Sequence, residues 1–298
     1  MNIAITGATG FIGRHYLEEC GNQHSITVLT TQNNEIKNVA DERYIYCDYT
    51  IESIKQCIAG CDAIIHMAGV RSPVGKSDNI SYYFDNMRIS ENLFVAAMES
   101  GINNIVVLSS ISVYSSILQR PFIEEITQPF SLYGASKLAV ENIAAVYNRK
   151  YGLKIKSLRL AQVMGTGERR NLMTIYLENS LAHKTLDVFG TGSSIKTYIY
   201  VKDVVQAIEN ALTAVEISGA FNIGMSKGYS NLQLAQIYCE VFNNYDNYRL
   251  LPEKKEDGEV WEMDITKAGE MLCFFPKYDL HDALFDMRLS LLSNVTAK

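Results

Sequence analysis

The chain has 298 residues, 47% hydrophobic and 20% charged, which is typical of a globular protein with a large core. Its net charge of −6 disfavours a nucleic-acid partner, and its apolar runs are too short to span a membrane. The six cysteines are scattered, which predicts reduced thiols and no metal site. The sequence opens with a predicted strand rather than a signal peptide, so we expect a cytoplasmic protein without a membrane partner.

Short apolar strands alternate with amphipathic helices through the first half of the chain. The predicted strands cover 2–6, 26–30, 43–46, 63–66, 104–109 and 154–159. The predicted helices cover 11–20, 51–58, 85–100 and 133–151. This alternation predicts a doubly wound parallel sheet with helices on both faces, and the nearly continuous apolar run at 104–109 predicts a central strand.

After residue 160 the pattern loosens. We predict helices over 171–182, 204–214 and 232–242, strands around 199 and over 221–224, and a charged, exposed segment at 250–258. Asp203 is placed to cap the helix that starts at Val204. Because there is no linker, any second domain is interleaved with the first.

A glycine-rich turn joins the first predicted strand to the first helix. In Thr6-Gly-Ala-Thr-Gly-Phe-Ile-Gly13, Gly7 permits a tight turn, Gly10 lets backbone approach a pyrophosphate, and Gly13 lets the helix pack on the sheet. The free N–H groups at the start of the helix favour an anion. This context predicts a dinucleotide site.

The end of the second strand favours NADP over NAD, without excluding NAD. The acid that usually binds the ribose hydroxyls of NAD is missing, and Leu29-Thr30-Thr31-Gln32-Asn33 stands in its place. Hydroxyls and amides there can bind a 2′-phosphate, to which Arg14 can add positive charge; a solvated residue on the helix surface is an equal alternative for Arg14. The alternative is that other groups hold the adenosine, such as Asp48.

Tyr133 and Lys137 lie four residues apart, within a segment whose apolar residues follow helical periodicity. They therefore share one helix face. Tyr198 and Lys202 have the same spacing, but their surroundings are typical of a strand, on which residues four apart are separated by about 13 Å. Only the first pair has the geometry of a proton-transfer site.

Together these motifs resemble the extended short-chain dehydrogenase/reductases, specifically the NAD(P)-dependent epimerase/dehydratase family that acts on nucleotide sugars. The matching segments occur in family order at 6–13, 47–50, 62–69, 109–114, 133–137, 159–165, 198–205 and 221–224. The resemblance implies a Rossmann-type cofactor domain at 1–165, to which segments near 195–225 return. It also implies a smaller, interleaved substrate domain mainly at 166–298, and a homodimer.

The resemblance also implies roles for individual residues. Ser110 would hydrogen-bond the substrate oxygen, Tyr133 would exchange its proton, and Lys137 would favour the phenolate and hold the nicotinamide ribose. With the glycine turn and the end of the second strand, the predicted cofactor contacts are Gly7, Gly10, Phe11, Ile12, Gly13, Arg14, Thr30, Thr31, Asp48, Ala68, Gly69, Tyr133 and Lys137. We interpret His66 as a buried, hydrogen-bonded histidine rather than a catalytic one.

Gln162 and Lys196 are the further substrate contacts that the resemblance implies. Gln162 stands where the family often has Asn, and Lys196 where many relatives carry Arg toward the nucleotide diphosphate; an exposed surface lysine is an equal alternative. The leading hypothesis is an NADP-dependent 4-ketoreductase of a nucleotide-linked 4-keto-6-deoxyhexose. The alternatives are a nucleotide-sugar 4-epimerase and a non-catalytic cofactor-binding protein. A 4,6-dehydratase is disfavoured, because Ile111-Ser112 replaces the acid pair it needs.

Overall fold

The computed structural model describes residues 1–32, 42–69, 79–168 and 171–296. The strands in this part of the chain are β1 (Asn2–Thr6), β2 (Ser25–Thr30), β3 (Glu42–Tyr46), β4 (Ala63–His66), β5 (Asn104–Ser110), β6 (Lys154–Leu160), β7 (Gln162–Met164), β8 (Leu186–Phe189), β9 (Ile195–Tyr200), β10 (Gly219–Ile223), β11 (Gly228–Ser230), β12 (Tyr248–Leu251) and β13 (Val260–Trp261). The helices are α1 (Phe11–Cys20), α2 (Ile51–Cys57), α3 (Ser81–Glu99), α4 (Leu132–Tyr151), α5 (Leu172–Leu181), α6 (Val201–Thr213), α7 (Asn231–Val241), α8 (Thr266–Leu272) and α9 (Leu280–Thr296).

Seven strands form one parallel sheet in the order β10-β6-β5-β4-β1-β2-β3. The sheet confirms the predicted doubly wound arrangement, and all seven residues of β5 are buried, as its apolar run predicts. The chain leaves β1 toward β2 on one side and reaches β4 on the other. In such sheets, ligands bind at this reversal, beyond the carboxyl ends of the strands.

Three apolar cores hold the elements together. On one face of the large sheet, α1, α6 and α8 pack on β1, β5, β6 and β10, and on the other face α2, α3 and α4 pack on the same sheet. A third core lies between α5, α7, α9 and the strands β8 and β9. None of the helices in the described ranges is both long enough and apolar enough to cross a membrane.

The predicted cap of α6 is wrong. The helix begins at Val201, so Asp203 lies inside its first turn rather than before it. The buried Asp203 carboxylate instead accepts hydrogen bonds from the backbone N–H groups of Lys277 (2.9 Å) and Tyr278 (3.2 Å). Asp203 therefore fastens the segment that leads into α9.

The charged segment at 250–258 is largely exposed, as predicted, yet it is bonded to neighbouring segments. Its start belongs to β12, which pairs in parallel with β8. The Glu256 carboxylate accepts hydrogen bonds from the backbone N–H groups of Ser194 (2.7 Å) and Thr191 (3.2 Å). Glu256 thus closes the glycine-rich turn that leads into β9.

Candidate active site

The glycine turn after β1 has no room for a side chain at Gly7 or at Gly13. Gly7 has a positive φ of 75°, and a Cβ on it would lie 2.6 Å from the backbone nitrogen of Ala68. A Cβ on Gly13 would lie 2.4 Å from the carbonyl oxygen of Gly7. Gly10 caps α1 without a side-chain acceptor, and the first turn of α1 carries no acidic residue. The start of α1 is therefore suited to bind a pyrophosphate.

A cleft of about 510 Å³ opens beside this turn. It brings together many of the predicted site residues, namely Gly7, Gly10, Phe11, Ile12, Gly13, Gly69, Ser110, Tyr133, Lys137 and Gln162. An adjoining cavity of about 120 Å³ contains Thr30, Thr31 and Ala68 among its lining residues. Gly7 lines both cavities, so together they form one elongated site past the carboxyl ends of the strands.

Helix α4 carries two predicted catalytic side chains into the cleft. Ser131 caps the helix by accepting a hydrogen bond from the Gly134 N–H (3.0 Å), which places Tyr133 in the first turn. Lys137 Nζ lies one turn further on, donates to the Leu108 carbonyl oxygen of β5 (2.9 Å), and stands 5.9 Å from the centroid of the Tyr133 ring. The pair therefore has the helical geometry predicted from its spacing.

Ser110 is the last residue of β5, and the turn that follows it packs against the start of α4. Its hydroxyl donates to Ser112 Oγ (3.1 Å) and accepts from the Ser112 N–H (3.2 Å), in a short 3₁₀ turn. The same turn packs closely on α4, because a Cβ on Gly134 would lie 1.9 Å from the Ser112 carbonyl oxygen. Glycine at 134 lets the segment of Ser110 and that of Tyr133 pack together.

The second Tyr–Lys pair has no such geometry. Tyr198 is buried in β9, whereas Lys202 lies beyond the end of that strand, in the first turn of α6. Lys202 Nζ pairs with Asp286 at 2.8 Å. The strand prediction for this segment is therefore right for Tyr198 and wrong for Lys202.

His66 is buried and fully hydrogen-bonded, as interpreted from the sequence. Its Nδ1 lies 2.7 Å from Thr6 Oγ1 and its Nε2 lies 2.9 Å from Ser90 Oγ. Ser90 donates its own hydroxyl proton to the Asn86 carbonyl oxygen, so it accepts from a protonated Nε2. Burial, and then the charge of Lys137, lower the pKa of His66 to about 3, so the ring is neutral.

Three predicted contacts do not line either cavity. Arg14 is exposed and lies 3.5 Å from the Gly167 carbonyl oxygen, and the exposed Asp48 carboxylate accepts from the Thr50 N–H (2.9 Å). Lys196 pairs with Asp257 at 3.1 Å and lies 5.7 Å from the centroid of the Trp261 ring. Lys196, in β9, is therefore paired with a carboxylate from the segment just before β13.

Two groups of polar residues at or near the cleft were not predicted from the sequence. Glu168 and Asn171 line the cleft, and Asn171 Nδ2 donates to Glu168 Oε1 (2.6 Å). Glu141 is buried behind the cleft, where it pairs with Arg159. Glu141 could have been found, since it follows Lys137 by four residues and so shares its helix face. Nothing in the local sequence marks Glu168.

Comparison with known proteins identifies the family. The model of the NAD dependent epimerase/dehydratase family matches residues 3–224, about three quarters of the chain. The chain belongs to this family. A crystal structure of UDP-N-acetylglucosamine 4-epimerase from Bacillus cereus is 32% identical, with a TM-score of 0.87, covering 98% of this chain and 96% of that one.

Two further relatives extend the same comparison. UDP-glucose 4-epimerase from Corynebacterium glutamicum is 28% identical over 306 residues, covering 93% of this chain and 92% of the relative. UDP-glucose 4-epimerase from Thermotoga maritima, solved with UDP-glucose, is 25% identical with a TM-score of 0.82, covering 99% and 100% of the two chains. Membership of the NAD dependent epimerase/dehydratase family confirms the resemblance seen in the sequence, and the UDP-sugar relatives support an enzyme that acts on a nucleotide sugar.

Proposed function

We propose that the protein is an NAD-dependent 4-epimerase of a UDP-linked hexose or N-acetylhexosamine. The observation that carries the proposal is the meeting of Ser110, Tyr133 and Lys137 in one cleft with the Gly7–Gly13 turn. The names of the relatives favour epimerisation, the alternative in the sequence analysis, over its leading hypothesis of a 4-ketoreductase.

The residues at the cofactor end fit a dinucleotide. The Gly7–Gly13 turn would hold the pyrophosphate, and Thr30, Thr31 and Ala68 would face the adenosine portion in the smaller cavity. We propose NAD rather than NADP, since Arg14 lies outside both cavities and the matching family is NAD dependent. Bound NAD would supply the hydride acceptor and, in its reduced form, the hydride donor.

The side chains of the chain supply the proton chemistry. Tyr133 would take the proton of the sugar C4 hydroxyl as the carbon is oxidised, and would return it when the 4-keto sugar is reduced from its other face. The positive charge of Lys137 favours the phenolate that accepts this proton, and the Ser110 hydroxyl would hydrogen-bond the same substrate oxygen. Atoms and electrons balance, because the hydride and the proton both return to the sugar.

Dehydration is less well supported. Ile111 and Ser112 line the cleft directly after Ser110, and neither can act as the acid or base that removal of water across a sugar C–C bond needs. Gln162 lines the cleft, so we assign it to the sugar. Lys196 lies outside both cavities, so its assignment to the nucleotide diphosphate requires that its pairing with Asp257 opens. The homodimer stays a prediction.

The direct test uses purified protein with UDP-N-acetylglucosamine or UDP-glucose, with and without added NAD. Chromatography of the products should show interconversion with the corresponding 4-epimer, without net formation of NADH at 340 nm. Product made in D₂O should carry no deuterium at C4. Consumption of NADPH by a nucleotide-linked 4-keto-6-deoxyhexose, with no epimer formed from either UDP-sugar, would refute the epimerase in favour of the reductase.

A further inference from the structure

A buried ion pair lies directly behind the cleft. Glu141 and Arg159 are 7% and 4% exposed, and Arg159 Nη2 lies 2.6 Å from Glu141 Oε2. Arg159 Nε lies 3.1 Å from each carboxylate oxygen, so the pairing is two-pronged. Neither side chain lines the cleft, so neither would touch a substrate there.

The carboxylate of this pair connects the catalytic helix to the strand that ends in Ser110. Glu141 follows Lys137 by one turn on the same face of α4, and it accepts a hydrogen bond from the hydroxyl of Ser109. One turn earlier, Lys137 is bonded to the carbonyl oxygen of Leu108. Two successive turns of α4 are thus held by two successive residues of β5, and the next residue is Ser110.

The guanidinium of the pair holds the far end of the same segment. Arg159 stands opposite Ser109 in the pairing of β5 with β6. Its Nη1 donates to the hydroxyl of Tyr114 at 2.7 Å, and that hydroxyl in turn donates to Asn222 Oδ1 at 2.7 Å. The segment from Ser109 to Tyr114 is therefore anchored at both ends by one ion pair, and Ser110 lies between the anchors.

We propose that Glu141 and Arg159 are positioning residues that fix the Ser110 hydroxyl relative to Tyr133. A buried ion pair contributes little net stability, since desolvation of two charges offsets their attraction, so stability alone does not account for it. Its geometric effect is direct, because the carboxylate belongs to the helix of Tyr133 and bonds Ser109 in the strand of Ser110. Its partner Arg159, in β6, bonds Tyr114 just after the turn. The expected kinetic consequence rests on the proposed function, whereas the anchoring itself does not.

The first arm of the test measures anchoring without any substrate. Amide hydrogen exchange of peptides covering 109–114 should speed up in Glu141→Gln and in the milder Ser109→Ala variant. The control is Lys156→Met, which removes a different buried charge from β6. Lys156 Nζ donates to Asn104 Oδ1 (2.6 Å), and neither residue lines the cleft. Exchange at 109–114 that is unchanged in both test variants, or raised equally in the control, would overturn the proposal.

The second arm is kinetic and uses a double-mutant cycle. Glu141→Gln should lower kcat about 10- to 100-fold with little change in KM or in bound NAD, as expected when reacting groups are misplaced by less than about 1 Å. In a Ser110→Ala background the same substitution should cost less than about twofold, because the pair acts through Ser110. Equal losses in both backgrounds would contradict the proposal.

The two arms distinguish a variant that does not fold from a failure of the proposed function. If Glu141→Gln fails to fold, Ser109→Ala, which keeps the ion pair, provides both readouts. If the unmodified protein interconverts no 4-epimers, the proposed function is refuted, and the exchange arm still decides the positioning role.

Discussion

Gly134→Ala should separate catalysis from stability. A Cβ at this position would lie 1.9 Å from the Ser112 carbonyl oxygen, whereas an ordinary contact is about 3.4 Å, so α4 and the Ser110 turn must move apart by about 1.5 Å. A misplacement of about 1 Å costs about 100-fold in rate, which corresponds to about 2.7 kcal/mol of barrier. Alanine also favours helix over glycine by up to about 1 kcal/mol, which offsets part of the packing cost.

The assay compares kcat for 4-epimerisation with the unfolding temperature and with the NAD retained after gel filtration. We expect kcat to fall about 100-fold while the protein stays folded and keeps its cofactor. Gly21→Ala is the matched control, because its Cβ would meet only a Glu42 carboxylate oxygen at 3.5 Å. A Gly134→Ala enzyme with at least half of the wild-type kcat would refute the argument that close packing of the two segments sets the reaction geometry.

Three further predictions concern the cofactor turn, the proton donor and the buried histidine. Tyr133→Phe should lower kcat about 10²- to 10⁴-fold with bound NAD unchanged, and equal loss of both would contradict its role in proton transfer. Gly7→Ala should abolish NAD binding measured by calorimetry, since its φ of 75° and the 2.6 Å approach to the Ala68 nitrogen both oppose a side chain. His66 has a pKa of about 3 when folded and about 6.5 when unfolded, so the unfolded state binds more protons between these values. The free energy of unfolding should therefore fall as pH drops from 6.5 toward 3, and less steeply in His66→Gln when followed by urea titration at each pH.

The parts of the site that sequence could predict are those with local signals. The Gly7–Gly13 turn depends on a strand before it and a helix after it, and both are visible in the apolar pattern. Tyr133 and Lys137 meet because helical periodicity fixes their spacing, whereas the same spacing at Tyr198 and Lys202 is interrupted by the end of β9.

The parts that sequence missed depend on contacts between distant segments. Asp203 has the residue type of a helix cap, yet it lies inside the first turn of α6, and its carboxylate accepts a hydrogen bond from the backbone of Lys277, more than 70 residues away. Lys196 has the charge expected of a diphosphate contact, but Asp257 from the loop before β13 and Trp261 from β13 both contact it. Glu168 lines the cleft because the loop after β7 folds back to α1, where His15 approaches the Thr166 carbonyl oxygen.

The position of β10 constrains how enzymes of this shape can be recombined. This strand is an edge of the seven-stranded sheet, yet residues that build the third apolar core precede and follow it in the chain. A chimera that exchanges that core between relatives must therefore transplant two separate stretches and leave β10 behind. A single crossover after β6 would instead pair this chain's β6 with the relative's β10, so the edge of the large sheet would be built from two different proteins.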